Sequence, residues 1–161
     1  MGGGILPMAW YKGKRYFLFS RETVDMKGDG SGKWSDFGGS KEKNETAYAT
    51  SVREAHEESS GFLGSKTDIK NLIRYHKEAR LSTKTYTTYI VEIPYDRDLP
   101  KDFQKDYRYV KKHNSDLIYN HNGLYEKDKL MWLPLHKLKA NMRRFRPWYK
   151  SIVKLIIKEF E

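Results

Sequence analysis

GSKEKNETAYATSVREAHEESSGF, residues 39–62, decides how the chain is read. It sets Arg53, Glu54, Glu57 and Glu58 on one short segment after a glycine turn. From Glu45 to Ser59 there is no Pro or Gly, and the turn-forming SKEKN stretch precedes it, so a helix is expected over 45–59. At 3.6 residues per turn, Glu54, Glu57 and Glu58 fall within an arc of roughly 100°. Tyr48, Val52, Ala55 and Ser59 occupy a different arc, small and partly apolar, that can pack on a sheet. Carboxylates at i, i+3 and i+4 repel by roughly a few tenths of a kcal/mol per pair, so the helix gains from a hard cation that neutralises them. Mg²⁺ suits the task, because it is held by a few carboxylates together with phosphate oxygens of a substrate. Arg53 lies one turn before Glu57, close enough to pair with it. The competing reading of such a run is a solvated acidic face.

The order of these residues resembles the Nudix box, G-x5-E-x7-R-E-U-x-E-E-x-G-U with U a bulky aliphatic. Gly39, Glu45, Arg53, Glu54, Glu57 and Glu58 all fall in register. Upstream, WSDFGG at 34–39 is similar to the usual W-x-x-P-G-G approach, with Phe37 where Pro is common. Two departures stand out. Ala55 replaces a larger aliphatic, which suggests a closer approach of the helix to the sheet, and the exit Ser59-Ser60-Gly61-Phe62 displaces the terminal Gly by one position.

The resemblance implies an α/β fold, an α/β/α sandwich with a central mixed sheet, and the activity of a Nudix pyrophosphohydrolase. It implies that Glu54, Glu57 and Glu58 bind Mg²⁺, or Mn²⁺ in its place, with Glu57 the nearest contact and Glu58 the next. Gly38 and Gly39 would let the backbone approach metal and phosphates, while Glu45 would buttress Arg53 so that the pair orients the ligands. In many members a further Glu outside the box acts as base or extra ligand. Here Glu126 stands before MWLPL (131–135), in a segment that is also similar to the family's acid loop and W-x-x-L strand. Glu57, Glu54 and Glu126 are thus the expected catalytic acids. Arg21 and Lys33 are candidates to reach phosphates from neighbouring loops. GGGILPMAWYKGKRYFLFSRE (2–22), taken with WSDFGG, is similar to Nudix proteins of large DNA viruses and single-celled eukaryotes.

A chain of 161 residues is expected to form one domain. Lys and Arg number 31 against 21 Asp and Glu, a net charge of +10, and because part of the acid is concentrated in the box the remaining surface is more basic still. That balance points to a polyanionic substrate. There is no cysteine, so disulfides and thiolate metal sites are excluded. The start, MGGGILPMAW, lacks the charged and apolar regions of a signal peptide, and no apolar run reaches a membrane-spanning length. The expected location is cytoplasmic or nuclear, or the host cytoplasm for a viral protein, with no membrane partner.

Along the chain, Gly4–Trp10 and Arg15–Ser20 read as a hairpin, and VDMKGDGSGKW (24–34) reads as a plain glycine-rich surface loop. Asn71–His76 and Thr83–Ile93 read as strands, the second covered on both sides. Residues 94–128 are charged and aromatic, an insertion with a short helix near Phe103–Lys112. Pro147 is expected to open a final helix over 147–161, with Trp148, Ile152, Leu155 and Ile156 on one face. The wheel turns His56 away from the acids, and the five histidines show no metal-ligand spacing.

Family members act on nucleotides, dinucleoside polyphosphates, mRNA caps, sugar nucleotides and diphosphoinositol polyphosphates. The basic, aromatic insertion favours a large, highly charged substrate, either capped RNA or a nucleoside or dinucleoside polyphosphate. Lys105, Arg108, Lys111 and Lys112 would track its phosphates, and Tyr107 and Tyr109 would stack on bases. A diphosphoinositol polyphosphate, or a Nudix-like module that binds a phosphate ligand without cleaving it, is the alternative.

Overall fold

In the computed structural model, which describes residues 1–120 and 122–161, β1 (Gly2–Tyr11) and β2 (Lys14–Glu22) form the expected hairpin. Their turn is Lys12-Gly13, whose φ values of 49° and 73° suit the right-handed twist of the flanking strands. Two further short strands, β3 (Trp34–Ser35) and β4 (Phe37–Ser40), lead into α1 (Ala47–Glu58). Next come α2 (Lys66–His76), β5 (Lys77–Ser82) and β6 (Tyr86–Glu92), then α3 (Leu99–His113) and the single turn α4 (Asp116–Tyr119). β7 (Lys127–Pro134), a run of 3₁₀ turns and α5 (Lys150–Phe160) complete the chain.

β1 organises one mixed sheet in the order β3-β2-β1-β6-β5, with β4 added on β1 and β7 on β2. It runs parallel to β6, and on its other side antiparallel first to β4, through Ile5, and then to β2, from Met8. Pro7 falls between those two partners, where a strand residue without an N–H is tolerated. Helices cover both faces. α1, α2 and α3 close one core around Ile5, Leu18, Phe37, Val52, Ile69 and Phe103, and α5 closes the other around Leu6, Phe17, Phe19, Tyr149 and Ile152. Neighbours Ile5 and Leu6 thus serve opposite cores, which is why β1 reads as a continuous apolar run. Among the described residues no helix is long and apolar enough to cross a membrane.

α1 seats closely on β1, because a side chain at Gly3 would collide with the Ala47 carbonyl and the Ser51 hydroxyl. It begins at Ala47, since the Thr46 side chain caps it by accepting from the Ala49 N–H at 3.1 Å. Asn71–His76 is helix and not strand. Ser65 and Asp68 form a reciprocal capping box that starts α2, and Ile69 and Ile73 at helical spacing bury its inner face. The strand of 83–93 is shorter at its start, because the Thr83 Oγ1 accepts from the Tyr86 N–H at 3.2 Å and makes a turn there. α3 runs four residues further back than expected, with Pro100 in its first turn. Phe103 joins it to the main core, while Tyr107, Val110 and Ile118 form a small cluster of their own. Pro147 opens a 3₁₀ turn, α5 proper begins at Lys150, and Trp148 lies mostly outside its buried face.

Candidate active site

The carboxylates of α1 meet the glycines of β4. The Gly38 N–H donates to Glu58 Oε2 at 2.9 Å, and the Glu54 carboxylate rests on Gly39. Gly38 has no room for a side chain, because a Cβ would run into the Tyr86 hydroxyl and the Gly3 carbonyl. That hydroxyl donates to the buried Asp36 at 2.7 Å, which also accepts from Thr88 at 2.7 Å. Burial pushes the Asp36 carboxyl up to about 6 even so. The approach to the box is therefore pinned from beneath by Asp36 and from above by Glu58.

Arg53 fixes the outer acids. Its Nε and Nη2 donate to the two Glu45 oxygens at 2.9 and 3.0 Å, while Nη1 reaches Glu54 at 3.0 Å and Glu57 at 3.3 Å. The two-pronged pair holds the Glu45 carboxyl down at about 2. Glu57 also packs against Gly123, which therefore lies over the box.

Glu58 and Lys127 are buried, and the Lys127 Nζ lies 3.1 Å from Glu22, 3.1 Å from the Ser35 hydroxyl and 4.0 Å from Glu58. Burial alone would drive the proton off Lys127, but Glu58 and Glu22 more than offset it and keep the ammonium charged. The same burial raises the proton affinity of Glu58. Glu54 is pushed up to about 7, first by burial and then by Glu57 and Glu126. Glu126 is raised by burial and by Glu22. Five carboxylates, Glu22, Glu54, Glu57, Glu58 and Glu126, thus act on one another, with the Lys127 charge beneath them.

Among the described residues no three acids converge into a ready-made ion cage, because Arg53 engages Glu54 and Glu57 while Glu58 is turned to Gly38 and Lys127. The donor set still fits Mg²⁺ or Mn²⁺, which take oxygen ligands and use one or two carboxylates with water and phosphate in place of a full protein cage. A cavity of about 240 Å³ opens beside the cluster. Glu22, Glu126 and Arg146 line it, with the glycine-rich loop at 26–31. Arg146 packs on Gly30 and lies 3.5 Å from Glu22, while its Nε has no hydrogen-bond partner among the described residues.

The other candidates are placed elsewhere. Arg21 makes a two-pronged pair with Asp128 at 2.8 and 3.1 Å, which occupies its guanidinium. The Lys33 ammonium donates to the Arg143 carbonyl at 3.2 Å, away from the acids. Tyr107 is buried with its hydroxyl donating to Asp25 at 3.0 Å, so its ring is closed to a base, and Lys111 is paired with Asp25 at 2.6 Å. Lys105, Arg108 and Lys112 are exposed on α3, as is Tyr109, whose ring stacks on His113 at 4.4 Å. His56 is exposed, and His121 lies outside the described residues. Glu22, Lys127 and Arg146 escaped the sequence reading, and so did the part played by the loop at 26–31, which faces the acids instead of being plain surface.

No protein-family model matches the chain, and no curated protein matches it. Solved structures do. An Ap4A hydrolase of C. elegans in a binary complex superposes with a TM-score of 0.54 at 14% identity, over 99% of this chain and 93% of that one. A Nudix hydrolase from Alicyclobacillus acidocaldarius gives 0.50 at 10% identity, over 98% and 90%. A bifunctional NMN adenylyltransferase/ADP ribose pyrophosphatase from Francisella tularensis, complexed with AMP and a Mn ion, gives 0.55 at 14% identity, over 98% of this chain and 41% of that one. With its mixed sheet between helical layers and α1 seated on the Gly38-Gly39 turn, the chain has the fold of the Nudix hydrolases.

Proposed function

We propose that the protein is a metal-dependent Nudix pyrophosphohydrolase that cuts a diphosphate linkage, with capped RNA or a nucleoside or dinucleoside polyphosphate as substrate. The observation that carries this reading is the cluster of five mutually repelling carboxylates beside the cavity walled by Arg146 and the glycine-rich loop. Bound Mg²⁺ or Mn²⁺ would neutralise the phosphates and make a bound water more acidic. Glu54, Glu57 and Glu58 would hold it. Glu126, raised in proton affinity and lining the cavity, would accept a proton from water, and Glu54 at about 7 would be the alternative acceptor. Arg146 would pair with the phosphate chain, and Glu45 with Arg53 would keep the outer acids in place.

The cavity contains Lys27 and Arg146 as its cations against Glu22, Asp29 and Glu126. That balance is poor for an inositol ring crowded with phosphates and better for a neutral nucleoside. A binding module without turnover would not require so many acids held together. Such an enzyme would act in the cytoplasm or nucleus, or in the host cytoplasm if viral. The test is a panel of diphosphate compounds, including a cap dinucleotide, diadenosine tetraphosphate and an inositol pyrophosphate, scored by product mass in ¹⁸O water with Mg²⁺, Mn²⁺ or chelator. Metal-dependent cleavage of the nucleotide members is expected. Absence of cleavage across the panel with either metal would overturn the reading.

A further inference from the structure

A cavity of about 1020 Å³, larger than the one beside the acids, lies elsewhere in the molecule. It opens between the tip of the β1–β2 hairpin and the outer side of α5, and Lys14 at its edge is eight residues along β2 from Glu22, about 25 Å at the rise of a strand. Its floor is apolar, with Trp10, Ile157 and Phe160, and Trp10 is 49% exposed. Its charges are Lys14, Arg15, Lys139 and Lys154 against the side chain of Glu161. None of the four cations is ion-paired among the described residues. The Arg15 guanidinium lies 4.4 Å from the Trp10 ring and 4.4 Å from the Phe160 ring, held between two aromatic faces.

We infer that this groove binds single-stranded nucleic acid. An aromatic floor interleaved with guanidinium and ammonium groups offers stacking faces for bases and cations for a backbone. An acidic peptide would satisfy the cations, but it would leave the half-exposed Trp10 ring without a planar partner. The inference does not rest on the hydrolase reading, since it concerns binding at the far end of the sheet. If both hold, the groove takes the body of an RNA whose end reaches the acids.

The experiment measures the anisotropy of a 5′-labelled 12-nucleotide oligouridylate with the full chain in chelator, so that cleavage cannot enter. Binding is expected, with log K falling against log salt at a slope of about −2 to −3, as four cations near phosphates require. Joint Lys14→Ala, Lys139→Ala and Lys154→Ala should weaken it by at least about tenfold at low salt. Trp10→Ala should cost about tenfold and Trp10→Phe much less, because the ring is retained. Joint Lys105→Ala, Arg108→Ala and Lys112→Ala on α3 should change it less than about twofold. No binding at low salt would overturn the inference. So would loss on substitution of α3 but not of the groove, or displacement by a 12-residue oligoglutamate as effective as unlabelled oligouridylate, which would identify an acidic protein surface as the ligand.

Discussion

At one end of β2, Glu22 joins four other carboxylates around a buried lysine; at the other end, Lys14 and Arg15 join two more cations around an open aromatic floor. The two ends use charge in opposite ways. At the acid end the groups are partly or wholly buried, so burial and mutual repulsion raise the proton affinity of Glu54, Glu58 and Glu126 and leave a deficit of positive charge that a divalent cation can fill. At the basic end the three lysines are exposed and well solvated, so each contributes little to stability and is available for a partner. The net charge of +10 is therefore an average over two unlike surfaces, and the acid end sits inside it as a local exception.

The largest expected effect is at the acid end. Glu57→Gln and Glu58→Gln should each lower kcat by at least about 10²-fold, because each removes a charge from the site that stabilises the transition state. Glutamine at 58 can still accept from the Gly38 N–H, so circular dichroism should show the fold intact. Gly38→Ala tests the scaffold under those acids. Overpacking against the Tyr86 hydroxyl and the Gly3 carbonyl should cost about 1–3 kcal/mol, a fall in Tm of roughly 3–10 °C by calorimetry.

Acidity sharpens the contrast further. The Glu54 carboxyl has an ordinary value of 4.5 and is held at about 7 in the fold. Between those values the folded state keeps a proton that the unfolded chain has lost, so its stabilising effect is complete below pH 4.5 and disappears as pH rises through about 7. In chelator the Tm should fall over that window, Glu54→Gln should flatten the fall, and Mg²⁺ should raise Tm more at pH 8 than at pH 5. Glu45, held at about 2 by Arg53, acts in the opposite sense and lower down, losing its contribution as pH falls from 4.5. The smallest effect lies at the end of α1. Ser60 adopts φ 50°, a left-handed backbone that costs a side-chain-bearing residue about 1 kcal/mol, so Ser60→Gly should raise Tm by roughly 2–4 °C without altering activity.

Ser60 also shows what could be read from the sequence. The displaced glycine at 61 was visible as a departure from the box; that the chain would keep the turn and place a serine in it was not. The hairpin around Lys12-Gly13, the helix bearing the acids and the strand covered on both faces follow from periodicity and turn chemistry, which are local. Asn71–His76 misleads because a short apolar run looks alike in a strand and in a buried helix, and the Ser65-x-x-Asp68 cap six residues earlier was the available signal. The pairing of Glu22 with Lys127 depends on the register of β2 against β7, with a bulge after Arg21, and no local pattern encodes that. The groove joins residues 10–15 to 135–161, so its composition is apparent only once α5 is docked.

If the carboxylates of α1 hold a divalent metal for hydrolysis of a diphosphate, turnover must depend on both. The most direct test is mass-resolved product formation from diadenosine tetraphosphate and from a cap dinucleotide, by the wild-type chain and Glu57→Gln, with saturating Mg²⁺ and with chelator. The wild type with Mg²⁺ should cleave at least one of them, cleavage should be lost in chelator, and Glu57→Gln should be at least about 10²-fold slower. Cleavage that persists in chelator, or a Glu57→Gln variant as fast as the wild type, would contradict it.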